Sequence, residues 1–394
     1  MISREQAAQR FEQLGWPTTQ WEEWRYTNVA PLAKAQWHLE DRRSRLSGQA
    51  GLGQAGLPVL HDAVAELVFV NGYLAQRRGD IRPLSEAATD PAVERHFAKY
   101  ADYQRHPFTA LNTANAQDGA FIFVPDGTII EGFIHILFVG DGDGVWSHPR
   151  NLIVVGRNAQ VAVVETYAGS GTYFTNAVTE IVAGEGAVVD HYKLELESLN
   201  ATHIATVQIH QERSSSVTSH QIALGGGLVR NEVNVALAGE GASLTLDGLF
   251  VLRGTQHVDN HTVIDHVKPH CDSLELYKGI LDEKARGIFD GRIIVREGAQ
   301  KTSSRQTNHN LLLSESAIID SKPTLEILND DVKCNHGSTI GQLNDEAMFY
   351  LRSRGIDEAE ARRLLVYAFA AQIVDRMKVD AVKEQVRKAM GEKL

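Results

Sequence analysis

In the stretch DDVKCNHGSTIG, residues 330–341, a cysteine and a histidine stand two positions apart among acids and glycines. On a β-strand the side-chain period is two, so Asp330, Val332, Cys334 and His336 share one face. Thiolate and imidazole both ligate transition metals, but a closed site needs more than two donors. A nucleophilic pair is disfavoured by the same spacing, because two strand positions separate the side chains by about 7 Å, too far for direct proton transfer. A buried free cysteine is also a common core residue, so Cys334 has an ordinary packing reading beside the ligand one.

A second concentration, QHVDNHTVIDHVKPHCD, holds His257, His261, His266, His270 and Cys271 with Asp259 and Asp265. His257 and His261 share a face at this spacing. The pattern matches no standard zinc motif and contains no HExxH. One reading is the metal site of a β-helix or cupin-like enzyme. The other, which the pattern favours, is a ladder of imidazoles and carboxylates along stacked strands.

Several chemistries are disfavoured. There is no GxxxxGK[ST] and no GxGxxG between a strand and a helix, so nucleotide hydrolysis and dinucleotide chemistry lack their phosphate cradles. The triple glycine at 225–227 reads as a bend, and GDGDG at 140–144 lacks the distal glutamate of a calcium loop. A net charge of −11 argues against a nucleic-acid surface. No apolar run is long enough to span a membrane. The first residues, MISREQAAQRFEQLGW, fit neither a signal nor a transit peptide. With Cys271 and Cys334 the only cysteines, no disulfide framework is expected, and a reducing, cytoplasmic location fits.

The elements that must position these residues fall into three parts. Residues 1–118 read as a helical region, with Phe11, Leu14, Trp21 and Trp24 available for an apolar face and a short hairpin turning at Asn71-Gly72. Residues 41–60, rich in Gly, Gln and Arg, read as a mobile connection. Residues 119–343 carry short alternating strands with almost no helical period. The phrases VVGRNAQVAVV, IVAGEGAVVDHY and ALAGEGASLTLD, with QERSSSVTSHQI between the last two, recur at roughly 27-residue spacing, as stacked solenoid units do. Later copies are irregular. A β-solenoid is therefore expected, ahead of a stacked β-sandwich.

Residues 344–394 return to a helical period. Asn344 can cap the first helix, Gly355 can stop it, and Asp357 with Glu360 resembles a capping box. The next helix carries Leu364, Leu365, Val366, Tyr367, Phe369, Ile373 and Val374 over most of its circumference. Such a helix either packs on the solenoid or docks a partner. The final segment, KVDAVKEQVRKAMGEKL, reads as an exposed, mildly basic helix.

Three ordered blocks carry a family resemblance. PTTQWEEWRYTNVAPL near the N-terminus, QHVDNHTVIDHVKPHCDSLELYKGILDEKARGIFDGRIIV in the middle, and QTNHNLLLSESAIIDSKPTLEILNDDVKCNHGSTIGQLNDEAMFYLRSRGI near the end resemble the SufD family of the SufB/SufD superfamily. The WRYT and DVKCNHG phrases favour SufD over SufB. The resemblance implies a mainly β protein, a right-handed parallel β-helix core flanked by helical N- and C-terminal regions. It also implies a non-catalytic scaffold subunit of SUF iron–sulfur cluster assembly that pairs with SufB, or with a second copy when alone. The SufC ATPase would dock on the C-terminal region, for which Leu364, Leu365, Tyr367 and Phe369 are the candidates. By motif position His336, and with less support Cys334, would face a transient cluster or iron at the SufB–SufD interface, with none held tightly by the isolated chain.

Overall fold

The structure is a computed structural model that describes residues 4–39, 58, 60 and 62–393. The expected connection at 41–60 therefore lies outside the described residues, apart from 58 and 60. From Gln160 onward the strands alternate between two parallel sheets, one strand of each sheet per turn. The result is a parallel β-solenoid of about eight turns with helices toward both ends of the chain.

The register makes the sequence repeat explicit. Gln160, Val188, Ser216, Ser243, Asp272, Ser303 and Lys333 stack at one position of successive turns. The interval is 27 or 28 residues as far as Ser243 and then 29 to 31, which is why the later copies look irregular in the sequence. The corner between sheets explains the recurring turn phrase. Asn158, Gly186, Ser214, Gly241, His270 and Lys301 occupy the same corner in successive turns, all with positive φ. Glycine and asparagine tolerate that conformation and reverse the chain with few residues. The residue that follows points inward and must be small: Ala159, Ala187, Ser215, Ala242, Cys271 and Thr302 are all essentially fully buried. The lumen is filled by a continuous apolar cluster that includes Val163, Ile181, Val207, Leu244 and Phe289.

The hairpin Ala65–Val70 and Tyr73–Arg78 forms as the Asn71-Gly72 turn predicts, with both turn residues at positive φ. Its first strand pairs in parallel with Ile134–Asp141, so the hairpin opens one solenoid sheet instead of standing apart. Among the described residues four α-helices belong to the N-terminal part: α1 (Arg4–Leu14), α2 (Ala30–Lys34), α3 (Pro91–His96) and α4 (Pro107–Asn115). Trp24, Val29, Leu32, Phe108 and Phe174 bury an aromatic cluster between this part and the solenoid, with Trp16, Trp21 and Trp37 packed around it.

Three helices follow the last strand: α5 (Asp345–Ser353), α6 (Glu358–Val374) and α7 (Asp380–Gly391). The caps are those the sequence predicts. Asn344 accepts from the Ala347 N–H, Asp357 accepts from the Glu360 N–H, and Gly355 lies at φ +85°. Helix α7 differs from the exposed helix expected. Val382, Val386 and Met390, spaced by four, form a fully buried stripe against the outer face of one sheet.

Candidate functional site

Ile318–Ile327 and Lys333–Gly341 are the terminal strands of the two sheets, and among the described residues each pairs on one side only, so that this end of the solenoid is open. Both strands are half-buried or exposed along their length, and Ile318, Ile340 and Leu328 are each 53% exposed. Unpaired N–H and C=O groups beside apolar side chains form a template for another strand.

Cys334 and His336 lie on this rim. Lys333–Gly341 pairs with Ser303–Leu312 without a register break, placing Cys334 over Ser304, His336 over Gln306 and Ser338 over Asn308. Cys334 packs on the interior apolar cluster, and the Ser338 hydroxyl lies 2.8 Å from that of Ser321 on the opposite sheet. Strand alternation therefore puts His336, between them, on the same interior-facing side. Cys334 is half-buried and His336 is exposed at the open end. Burial pushes the Cys334 thiol up, which favours its protonated form.

Beneath the rim the interior carries polar side chains. Gln306 is fully buried and its Nε2 donates to Glu275 Oε2 at 2.6 Å. Burial lifts the Glu275 carboxyl to about 7. Five turns from the rim, Lys193 Nζ donates to the Glu195 carboxylate and to Asn231 Oδ1 (2.9 Å), and lies 2.9 Å from His203 Nε2. Burial works against ionisation of Glu195, but Lys193 and His203 hold it below the usual carboxylate range. Nothing in the sequence period distinguishes these inward polar residues from outward ones, because lysine and glutamate ordinarily mark solvent.

The histidines at 257–270 do not converge. His257 and His261 share the outward face, where Thr27 of the N-terminal region reaches His257. Thr27 Oγ1 lies 2.9 Å from His257 Nε2 and donates to Asp259 Oδ2 at 2.5 Å. His261 contacts the same carboxylate at 2.8 Å, and Arg230 Nη1 reaches it at 2.5 Å. In register, His261 stacks between Glu232 and Asp290, the ladder that the sequence pattern favours. His266 points inward to Ser273 (2.9 Å), His270 is a left-handed corner residue, and Cys271 is the small buried residue after it. Among the described residues no group of three or more His, Cys, Asp or Glu side chains could hold a metal ion.

Helix α6 lies on the outer face of one sheet through Val366, Ala370, Ile373 and Val374. Phe369 also turns to the solenoid: the Lys278 ammonium sits 4.2 Å from its ring centre and bonds its carbonyl at 2.9 Å. Leu365 is half-buried. Leu364 and Tyr367 face solvent, and on α5, which buries none of its residues, Phe349 is 75% and Tyr350 57% exposed. Phe349 and Tyr350 were not among the sequence candidates, because α5 is too polar overall to mark an apolar face. Polar contacts also join the C-terminal region to the sheet. Arg376 lies 3.0 Å from the fully buried Asp247, and Lys378 lies 2.7 Å from Asp190.

The family model described as the SUF system FeS cluster assembly SufBD core domain matches residues 138–369, and the SufBD N-terminal region matches 2–136. An iron–sulfur cluster assembly SufBD family protein of Synechocystis is 33% identical over 98% of this chain and 90% of its own length. The iron–sulfur cluster assembly protein SufD of Escherichia coli is 31% identical over 99% of this chain and 92% of its own. Its namesake from Bacillus subtilis is 29% identical over 75% and 68%. The chain belongs to the SufBD family of SUF-system iron–sulfur cluster assembly proteins.

Proposed function

We propose that this chain is the SufD-type scaffold subunit of a SUF assembly, pairing with SufB through the open end of its solenoid and docking SufC on α5 and α6. The observation that carries the reading is the open rim, where two terminal strands, exposed isoleucines and the Cys334–His336 pair occupy one edge. A rim with two soft or borderline donors suits half of a shared site, since a partner can complete the shell. Imidazole is an acceptable ligand for one iron of a cluster, and an incompletely thiolate-ligated cluster is easier to hand on. The cluster is cargo in this account, and the isolated chain holds none tightly. In the absence of SufB the same edge pairs with a second copy.

The exposed aromatics of α5 and the Leu364–Tyr367 side of α6 support SufC docking, with Leu365 and Phe369 supporting that surface from beneath. ATP hydrolysis belongs to SufC, and this chain works as a scaffold instead of an enzyme. Two free cysteines suit a reducing compartment such as the cytoplasm. No helix among the described residues is long and apolar enough to cross a membrane. The enzyme reading at 257–271 has little support, because Thr27 and Arg230 occupy the Asp259 carboxylate that a metal would need. The test is iron and acid-labile sulfide analysis of the purified chain, alone and co-expressed with SufB and SufC. Iron and sulfide in the complex only is the expected result. Stoichiometric metal and partner-free turnover in the lone chain would contradict it.

A further inference from the structure

Just inside the rim the lumen carries an aromatic layer and, above it, a polar one. Tyr277 and Phe289 face each other from the two sheets with ring centres 5.0 Å apart. One strand further out on the same columns stand Asn308 and Ser321, and beyond Asn308 stands Ser338. Ser321 Oγ lies 2.8 Å from Asn308 Oδ1 and 2.8 Å from Ser338 Oγ, so it brackets the two sheets together at the mouth.

The donors in this bracket can be assigned. The Tyr277 carbonyl can only accept, so Asn308 must turn Nδ2 toward it, at 3.3 Å, and Oδ1 toward the mouth. That Oδ1 also can only accept, and it takes the Ser321 hydroxyl and the Asn310 amide, the latter at 2.6 Å. Ser321 has one proton and spends it on Asn308, so Ser338 must donate to Ser321. Every link therefore donates inward, from the rim toward a buried backbone carbonyl, and Ser338 keeps only lone pairs for the mouth. A chain in which every link is made favours one geometry.

His336 sits between two pins on its strand. Cys334, two residues before it, packs on the interior apolar cluster, and Ser338, two residues after it, is held by the bracket. We infer that Asn308, acting through Ser321 and Ser338, is the positioning residue of the rim: it sets the gap between the two terminal strands and so the place from which His336 meets the cargo. This rests on His336 being the iron-facing donor of the proposed shared site. Asn308, fully buried one strand below the rim, acts without touching the cargo.

The test uses the two cysteines as paired reporters. Cys334 is half-buried on the pinned strand, whereas Cys271 is fully buried deeper in the solenoid. Iodoacetamide alkylation is followed by mass spectrometry on the purified full chain, at a dilution where it is monomeric. In Ser321→Ala, Cys334 is expected to react about threefold to tenfold faster than in wild type, the weight of one net hydrogen bond, while Cys271 stays unreactive. Ser321→Thr keeps the hydroxyl and should restore the wild-type rate. An unchanged Cys334 rate in Ser321→Ala overturns the inference, as does an equal rise at Cys271, which would make the bracket part of the general core. If Ser321→Ala does not fold, Ser338→Ala, at an exposed position, removes the outermost link alone and is held to the same criteria. In the complex with SufB and SufC, iron and sulfide yield should fall severalfold in Ser321→Ala and recover in Ser321→Thr. Full yield in Ser321→Ala beside a deficient His336→Ala overturns the positioning role. Full yield in His336→Ala refutes the site reading instead and leaves the alkylation result standing, so the two failures are distinguishable.

Discussion

The guanidinium of Arg230 lies 3.9 Å from the centre of the Trp24 ring while its Nη1 bonds the buried Asp259 carboxylate at 2.5 Å. One arginine thus fastens the N-terminal region to the outer face of the solenoid by a cation–π contact and an ion pair together. Thr27, three residues after Trp24, donates to the same carboxylate. The WRYT phrase is the chemistry of a clasp.

Loss of the clasp should loosen the N-terminal region before the solenoid. Thr27→Val removes a donor from a buried carboxylate and should cost about 1–3 kcal/mol. Trp24→Ala removes a buried ring and should cost about 3–5 kcal/mol. Chemical denaturation measures the loss, and limited proteolysis should cut first within residues 4–39 in both variants.

How much of this was legible in the sequence depends on which face a residue uses. The solenoid showed itself because the corner phrases repeat, with a left-handed residue and then a small buried one. The helix caps were legible because Asn344, Asp357 and Gly355 act through local backbone geometry. The lumen was not, because Lys193, Glu195 and Gln306 carry the signature of solvent-facing positions and only the stacking of turns buries them. The α7 stripe was missed for a related reason: Val382, Val386 and Met390 are three apolar residues among many charges. Rim and clasp were visible as motifs, but only the fold separates outward His257 and His261 from inward His266 and the corner residue His270.

The internal lysine should be costly to remove. Lys193→Met removes the cationic partner of Glu195 in the lumen and leaves it only His203 and Asn231, with a loss of about 3–5 kcal/mol expected in denaturation. Combining it with Glu195→Leu should recover most of that loss, since the uncompensated charge is then gone.

Asp247 predicts a pH dependence. Burial, which outweighs the partly exposed Arg376, lifts its carboxyl from the ordinary 3.8 to about 7. The folded chain therefore keeps a proton that the unfolded chain releases. The stability this group contributes is full below about pH 4 and is lost as pH rises through 7. Three pK units correspond to about 4 kcal/mol as an upper bound. Asp247→Asn should accordingly be more stable than wild type at pH 8, and the advantage should shrink as the pH is lowered to 5. Denaturation midpoints at the two pH values measure it.

The exposed aromatics of α5 make a separable prediction. Phe349→Asp with Tyr350→Asp should abolish co-purification of SufC and leave pairing with SufB intact. Both side chains lie mostly in solvent, so the thermal midpoint should stay close to that of wild type.

The central claim, that the open rim presents His336 to a cluster shared with a partner, is tested most directly by iron and sulfide content after anaerobic reconstitution of the complex carrying His336→Ala. His336 is exposed on a terminal strand, so the variant should fold and retain SufB and SufC. The account predicts an intact complex that fails to accumulate cluster. An intact complex that reconstitutes as fully as wild type would contradict it.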